Sequence, residues 1–308
     1  MLGIIACGML EDELAHVLCS DSGVRHLLLI DSPEILGLAR KLRSRNRSHL
    51  VVSQEAIPDL LADIMKGRSN GFLTRFMDNM DKIGLAFFGR VQQNRGPELT
   101  VVVSLLKKAL HSDEKLLREE VYRSIVDHAS FSDGILLFFG LCGNALTDIE
   151  VDFKNLPCPL HFLADGEGKR IDDCIAATFG GNREYAEALS SFPGVGIFFT
   201  PMWAYHWQEI DREVRMSSKS KGLGRMLKDL GYSKVARLDT GLEFISNFEI
   251  ESKINDFARL YSLEVIHLHG GTKVVERCYR QARENLMDRR TMKIDEAEKA
   301  SGALPEAL

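Results

Sequence analysis

The cysteines are the residues of this chain with the most distinctive chemistry, and two of the six follow segments that read as buried strands. Cys7 comes directly after the apolar residues 4–6, and Cys142 closely follows the apolar run 134–139. Ligands of parallel α/β sheets bind beyond the carboxyl ends of the strands, where both thiols are expected. Each is followed by glycine, which lets a backbone or a ligand approach closely. Both positions therefore predict a ligand site.

Cys174 has a different setting, because Asp172 or Asp173 is expected to cap a helix whose first turn contains the sulfur. A helix N-terminus favours the thiolate, which is the form that binds metal or attacks an electrophile. Three thiols converging in one crevice would hold a soft metal ion or an iron–sulfur cluster with one position open for substrate. The chain has no CxxC or HExxH motif, so the assignment of Cys7, Cys142 and Cys174 as metal ligands depends on their positions relative to strands.

Two other roles stay open for these thiols. Packing is one, because buried cysteines are common and often inert. In the other, Cys142 or Cys174 is a metal-free thiolate nucleophile that is helped by Asn144 and by a histidine such as His269. The remaining cysteines are assigned to packing or to a surface turn: Cys19, Cys158 and Cys278.

Several residues near strand ends are candidates for contacting a cofactor. Trp203 belongs to an aromatic group, 203–207, which either walls a flat cofactor such as a corrin or closes the core. Asp239 is either a general base or a helix cap. His267 and the glycine turn 270–271 are weaker candidates for binding a ligand or an anion. The cofactor-binding residues predicted are Gly8, Gly143, Asn144, Trp203 and Asp239.

The elements that must position these groups alternate between strand-like apolar runs and segments of helical periodicity. This pattern predicts an α/β fold with two or three Rossmann-like lobes and mainly parallel, helix-covered sheets. A strand is expected at 85–88 and a long helix from about residue 100 to 129. The domain prediction is a first lobe at 1–82, a second with the GLCGN motif at 83–190, a third at 191–288 and a charged tail at 289–308.

Composition excludes some classes of function. The chain has 308 residues, of which 45% are hydrophobic and 27% charged, and its 39 basic and 44 acidic residues give a net charge of -5. Binding to nucleic acid or to an anionic membrane gains no support from this balance. No apolar run reaches the roughly 18 residues of a membrane span, and no targeting segment precedes the first strand, so a cytoplasmic protein is expected.

Five short blocks give the chain a resemblance to a known family. They are IIACG at 4–8, GLCGNAL at 140–146, DDCI at 172–175, FTPMW at 199–203 and DTG at 239–241. In this order they resemble the signature blocks of the domain of unknown function 1638 family of archaea and anaerobic bacteria. The resemblance runs from the N-terminus to about residue 270. The chain departs from the family at Met202, where glycine is usual, and before Asp172, where a proline-arginine-histidine pattern is missing.

The resemblance implies a metabolic context rather than a reaction, because members of this family are often encoded near corrinoid-dependent methyltransferases. The leading hypothesis is a protein that binds an iron–sulfur cluster or a single metal ion and serves as an accessory, activating or cofactor-handling component of anaerobic methyl transfer. A corrinoid is the second cofactor that this context suggests. A corrinoid protein or a methyltransferase is the expected partner, and a homo-oligomer is a further possibility. The alternative is a non-catalytic partner subunit of a methyltransferase complex that uses the basic, exposed stretch 40–47 or 216–225 as its docking surface.

Overall fold

The structure is a computed structural model that describes residues 1–65, 99–108, 110–217 and 227–301. The strand predicted at 85–88 lies outside these ranges, as do most of the basic stretch 216–225 and the end of the predicted tail. No helix in the described ranges is both long enough and apolar enough to cross a bilayer.

Nine β-strands carry the architecture of the described residues: β1 (Leu2–Cys7), β2 (Val24–Ile30), β3 (Leu50–Val52), β4 (Leu99–Leu106), β5 (Gly134–Phe138), β6 (Leu160–Phe162), β7 (Val195–Phe199), β8 (Lys234–Asp239) and β9 (Glu264–His269). Ten helices whose two ends are both described connect or follow them: α1 (Glu11–Ser20), α2 (Ile35–Ser44), α3 (Ile57–Met65), α4 (Glu114–Ala129), α5 (Ile149–Asp152), α6 (Cys174–Phe179), α7 (Asn182–Ser191), α8 (Pro201–Ser217), α9 (Asn247–Tyr261) and α10 (Lys273–Ser301).

The strands form two sheets, and every strand pair in them is parallel, which confirms the predicted fold class. The large sheet has the order β3-β2-β4-β1-β5-β6, and the small sheet has the order β7-β8-β9. Strands from the predicted first and second lobes share the large sheet, since β1 lies between β4 and β5. The domain boundaries themselves stay a prediction.

The central strand β1 shows why the large sheet is covered on both faces. Side chains of successive strand residues point to opposite faces. Leu2, Ile4 and Ala6 pack with α1, α2 and α10, whereas Ile5 and Cys7 pack on the other face with α4. Both sets are buried, so β1 needs a continuous apolar sequence rather than an alternating one. The side chain of Cys7 therefore points toward the α4 face.

One helix prediction is wrong in its first part. Residues 99–106 form β4, and the helix begins only at Glu114, where the Asp113 side chain accepts a hydrogen bond from the Leu116 N–H (3.0 Å). The run Val101-Val102-Val103 is β-branched, and these residues are buried on both faces between β2 and β1. Tertiary burial thus makes this segment a central strand.

The small sheet is packed between two layers of helices. Phe199 and Val235 face a cluster with α8 and α9, and Phe198 and Leu238 face a cluster with residues of α6. After β9, α10 returns to the large sheet, where Val274 and Leu286, among others, join its core. The edge strand β9 is only partly covered along its length.

Candidate thiol site at the edge of the large sheet

Cys7 ends β1, as the sequence predicts, and lies at the carboxyl edge of the large sheet. Its Sγ accepts a hydrogen bond from the Met9 N–H (3.4 Å), and burial raises its pKa to about 11. Gly8 follows in a tight turn, where an added Cβ would lie 2.8 Å from the Leu106 carbonyl oxygen. The turn after β1 therefore packs directly against the end of β4, and only glycine fits there without displacement.

Cys142 is held by a turn that joins the end of β5 to the segment before α6. The Leu141 and Cys142 N–H groups donate to the carbonyl oxygens of Ile171 and Asp172, both at 2.8 Å. Cys142 has a φ of 49° and Gly143 one of 72°, so the chain is left-handed at both residues. At Gly140, an added Cβ would lie 2.6 Å from the Asp173 Cα. The GLCGN motif thus places Cys142 beside the start of α6.

Cys174 is the first residue of α6, and the predicted cap is confirmed. The Asp173 carboxylate accepts a hydrogen bond from the Ala176 N–H (2.8 Å). The expectation that the helix terminus lowers the pKa of Cys174 is wrong, because desolvation by burial raises that pKa well above its ordinary value. Desolvation outweighs the dipole of a helix of six residues. Cys174 packs against the cores of both sheets.

The structure brings the three predicted ligands together. Burial is the main cause that raises the pKa values of Cys142 and Cys174, and the neighbouring Cys7 raises both further. All three side chains pack in or against the same apolar cluster on the α4 face. We call Cys7, Cys142 and Cys174 the thiol cluster. Within the described ranges, no three His, Cys, Asp or Glu side chains form a group that could hold a metal ion.

A buried carboxyl group lies near the thiol cluster, and sequence reasoning missed it. Glu13 on α1 is buried, and neither carboxyl oxygen makes a hydrogen bond to the described residues. Burial, and then the charge of Asp12, raise the pKa of Glu13 to about 8. Its charge raises the pKa of Cys7, whereas the Lys108 charge lowers it. Acidic residues in the first turn of a helix are usually exposed and interact favourably with the helix dipole. The only sequence signal that could have pointed to Glu13 is therefore its position shortly after Cys7.

The acidic turn of α1 is balanced by one lysine from the stretch 40–47. The Lys41 Nζ lies 2.6 Å from a Glu11 carboxylate oxygen and 2.5 Å from an Asp12 oxygen, and it donates to the Met202 Sδ (3.1 Å). The prediction that this stretch is exposed is therefore wrong for Lys41, whose side chain is 13% exposed. Lys41 joins α1, α2 and α8 beside the thiol cluster. It is an internal cation rather than part of a docking surface.

Trp203 lies beside Cys174 and belongs to the walls of the site. Its ring stacks on Phe199 at 6.3 Å and tilts against His111 at 5.7 Å. The indole N–H is buried and has no hydrogen bond of ordinary geometry to the described residues, although its proximity lowers the pKa of Cys174. Trp207, from the same aromatic group, is buried in the core of the small sheet. The group thus supplies both core residues and a wall of the thiol cluster.

The remaining candidates lie elsewhere. Asn144 is exposed, and Asp239 and His269 end the neighbouring strands β8 and β9 of the small sheet, where both are exposed. The Asp239 carboxylate accepts a hydrogen bond from the Gly241 N–H (3.0 Å). His267 is also exposed, on the edge strand β9.

The glycine turn after β9 does not offer its N–H groups to an anion. The Gly270 N–H donates to the Asp239 carbonyl oxygen (2.8 Å), and the Gly271 N–H donates to the Thr178 carbonyl oxygen (2.7 Å). The second bond ties the turn after β9 to the end of α6, whose first residue is Cys174. The turn therefore supports the thiol cluster from the opposite end of that helix.

Comparison with known proteins gives a family but no function. The family model described as "Protein of unknown function (DUF1638)" matches residues 105–279, which is more than half of the chain. Cys142 and Cys174 lie within the matched range and Cys7 lies before it, although the resemblance of short blocks began at the N-terminus. No curated protein and no solved structure matches the chain.

Proposed function

The chain belongs to the DUF1638 family, and we propose that it holds an iron–sulfur cluster through Cys7, Cys142 and Cys174. The observation that carries this proposal is that three thiols, from positions 135 and 32 residues apart, pack in or against one apolar cluster, Cys7 buried and Cys142 and Cys174 half-buried. Thiolates are the ligands that iron–sulfur clusters require. Three of them leave one iron without a protein ligand, where a substrate can bind.

We propose a cluster rather than a single metal ion because of the spacing that each requires of its sulfur ligands. A tetrahedral site places each thiolate sulfur about 2.3 Å from one ion, which forces the sulfurs into contact with one another. The described residues contain no such grouping. The cysteines of a cluster each bind a different iron atom, so their sulfurs lie farther apart. A cluster is therefore the form of metal centre that we propose for thiols that pack in or against one apolar cluster without surrounding one point.

The surroundings of the thiols suit a cluster that is kept from water. Ligand thiols must lose their protons, and burial raises the pKa values of all three, so cluster binding has to supply the free energy of deprotonation. Lys108 partly offsets this cost, since its charge lowers the pKa of Cys7. When bound, a cluster with an open iron supplies electron transfer or Lewis-acid activation of a substrate. Trp203 and Met202 would exclude water from one side.

The proposed role is that of an accessory, activating or cofactor-handling component of anaerobic methyl transfer, next to a corrinoid protein or methyltransferase. This part rests on the family resemblance alone. Trp203, Gly8 and Gly143 border the thiol cluster and are proposed cofactor contacts, and a corrinoid remains the second cofactor proposed. Asn144 and Asp239 are proposed contacts only for a cofactor large enough to reach the exposed surface.

Iron and sulfide analysis of protein purified without oxygen tests the proposal. We expect iron and acid-labile sulfide in similar amounts in the wild-type chain, and a several-fold loss of both in each of Cys7→Ala, Cys142→Ala and Cys174→Ala. Cys19→Ala, at a half-exposed thiol outside the thiol cluster, is the matched control and should keep both. A wild-type protein without iron or sulfide, or an equal loss in the control, would overturn the proposal.

A further inference from the structure

A cavity of about 380 Å³ opens at the carboxyl ends of β2 and β4, between these strand ends and α4. Its volume lies within the range of small-molecule pockets, about 300–1,000 Å³. The place is the edge of a parallel sheet where ligands ordinarily bind. Leu110 lines the cavity and also packs in the apolar cluster that contains Cys7, so the cavity is a neighbour of the thiol cluster but does not include it.

Ser104 lies in the wall of this cavity, and its hydroxyl group is held by a buried histidine. The Ser104 Oγ is 2.8 Å from the Nε2 of His128, a residue that is fully buried on α4. Burial lowers the pKa of His128 to about 3, so its imidazole is neutral. The His128 ring has room because β1 carries glycine at position 3, where an added Cβ would lie 2.5 Å from the Nδ1 atom.

The protonation of the His128 Nδ1 atom determines whether the Ser104 hydroxyl can donate a hydrogen bond to a ligand. The His128 Nδ1 is buried and makes no hydrogen bond to the described residues. A buried N–H without a partner is rarer in proteins than a buried acceptor without one. The proton therefore belongs on Nε2, which donates it to the Ser104 oxygen. The Ser104 hydroxyl hydrogen is then left to point toward an acceptor in the cavity.

The charges around the cavity set the kind of ligand. Four carboxylates line it, those of Asp31, Glu34, Glu120 and Asp127, against two cations, Lys107 and Arg123. Arg123 is paired with Glu120 on the same helix. The lining therefore has an excess of negative charge. None of the described residues that line it is aromatic, so it lacks the cage that binds quaternary ammonium groups.

We propose that this cavity binds a small primary amine that also carries a hydrogen-bond acceptor. The ammonium group pairs with the carboxylates at the cavity mouth, where Asp31 and Glu34 lie at the end of β2 and the start of α2. The acceptor takes the hydrogen bond of the Ser104 hydroxyl. This site does not depend on the function proposed for the thiol cluster.

Three five-carbon alcohols that differ in one terminal group test the proposal: 5-aminopentan-1-ol, pentane-1,5-diol and 5-hydroxypentanoate. Ligand-observed NMR titration of the full chain would measure their dissociation constants. We expect the amine to bind roughly fivefold more tightly than the diol, and the carboxylate to bind most weakly. Equal binding of all three, or no binding at millimolar concentration, would overturn the proposal.

Two variants assign the binding to this cavity. Ser104→Ala should weaken binding of the amine roughly fivefold, because the oriented donor is lost. Glu34→Gln, at a half-exposed position that should not affect folding, should reduce the preference for the amine over the diol. Ser190→Ala, on the exposed side of α7, is the control for Ser104, and Cys142→Ala should leave amine binding unchanged. Unchanged amine binding in both cavity variants would contradict the proposal even if the thiol cluster is confirmed.

Discussion

The two sheets end in different chemistry at their carboxyl edges. In the large sheet, β1 and β5 are buried along their whole length, and the turns at their ends place Cys7 and Cys142 against an apolar cluster. In the small sheet, β8 and β9 end in Asp239 and His269, which are both exposed. The large-sheet edge is therefore apolar at the ends of β1 and β5, whereas the small-sheet edge is solvated at the ends of β8 and β9.

This difference is local to individual strands and does not hold for the whole edge of a sheet. β1 delivers Cys7 into a desolvated place, where charge is costly and a neutral thiol is tolerated, whereas Asp31 directly after β2 is exposed. A strand at a partly covered sheet delivers carboxylates and imidazoles into water. Cys174 connects the two regions, because it packs against the cores of both sheets, and its pKa is raised by burial and then by Cys7 of the large sheet.

The largest effect is expected from matched core truncations in the two sheets. Ile4 in β1 is fully buried, whereas Ile266 in the edge strand β9 is only partly buried. Ile4→Ala should lower the free energy of unfolding by about 4 kcal/mol, and Ile266→Ala by about 1 kcal/mol. Denaturant titration of both variants measures the difference. Equal losses would mean that the cores of the two sheets do not differ in packing at these positions.

The second largest effect is expected from Gly140→Ala at the carboxyl edge of the large sheet. Gly140→Ala places a Cβ 2.6 Å from the Asp173 Cα, so the GLCGN turn and the start of α6 must separate. We expect a loss of about 2–3 kcal/mol of unfolding free energy, together with weaker iron binding, because Cys142 and Cys174 move apart. Thermal and denaturant unfolding, combined with iron analysis, would measure both effects.

Gly166→Ala is the matched control, since nothing lies within 4 Å of the Cβ that it would add. It should change the stability by less than about 0.5 kcal/mol. If Gly140→Ala behaves like this control, the close contact between the two cysteine-bearing turns does not exist.

The smallest expected effect concerns the charge buried at the edge of the large sheet. The pKa of Glu13 is raised from 4.5 to about 8, so between these values the unfolded chain releases a proton that the folded chain keeps. Wild-type stability therefore falls as the pH rises through this window. Glu13→Gln should remove that part of the fall and make the variant more stable than the wild type at pH 9, by roughly 1 kcal/mol or more.

Unfolding free energies of wild type and Glu13→Gln at pH 5 and pH 9 measure this contribution. Glu264→Gln, which removes a carboxyl group exposed on β9, is the control from the small sheet. A difference between wild type and Glu13→Gln that does not change with pH would show that Glu13 is ionised at little cost, and the contrast between the two edges would be weaker.

Much of the fold and part of the site could be predicted from the sequence, because both depend on local signals. Apolar runs that lead into Cys7 and into the Cys142 turn mark two buried strands and locate the thiols at their carboxyl ends. The sequence predicts Asp172 or Asp173 as the helix cap before Cys174, and Asp173 is the residue that caps it. Those signals could not give the cost of burial, so the predicted direction of the pKa shift of Cys174 was wrong.

The features that were missed depend on which elements lie side by side. The segment 99–106 becomes a strand because it inserts between β2 and β1, and both of these strands are far from the segment in sequence. Ser104 and His128 meet only because α4 packs on β4 beside Gly3. The acidic turn 11–13 is buried because Lys41 reaches it from α2, and no local pattern distinguishes it from an exposed helix start.

The central claim is that the three sulfurs of the thiol cluster hold one iron–sulfur cluster, and anomalous diffraction at the iron edge tests it most directly. Crystals grown from protein purified without oxygen should show one iron peak bounded by the Sγ atoms of Cys7, Cys142 and Cys174. An iron peak at any other place, or no peak between these sulfurs in such crystals, would contradict the account.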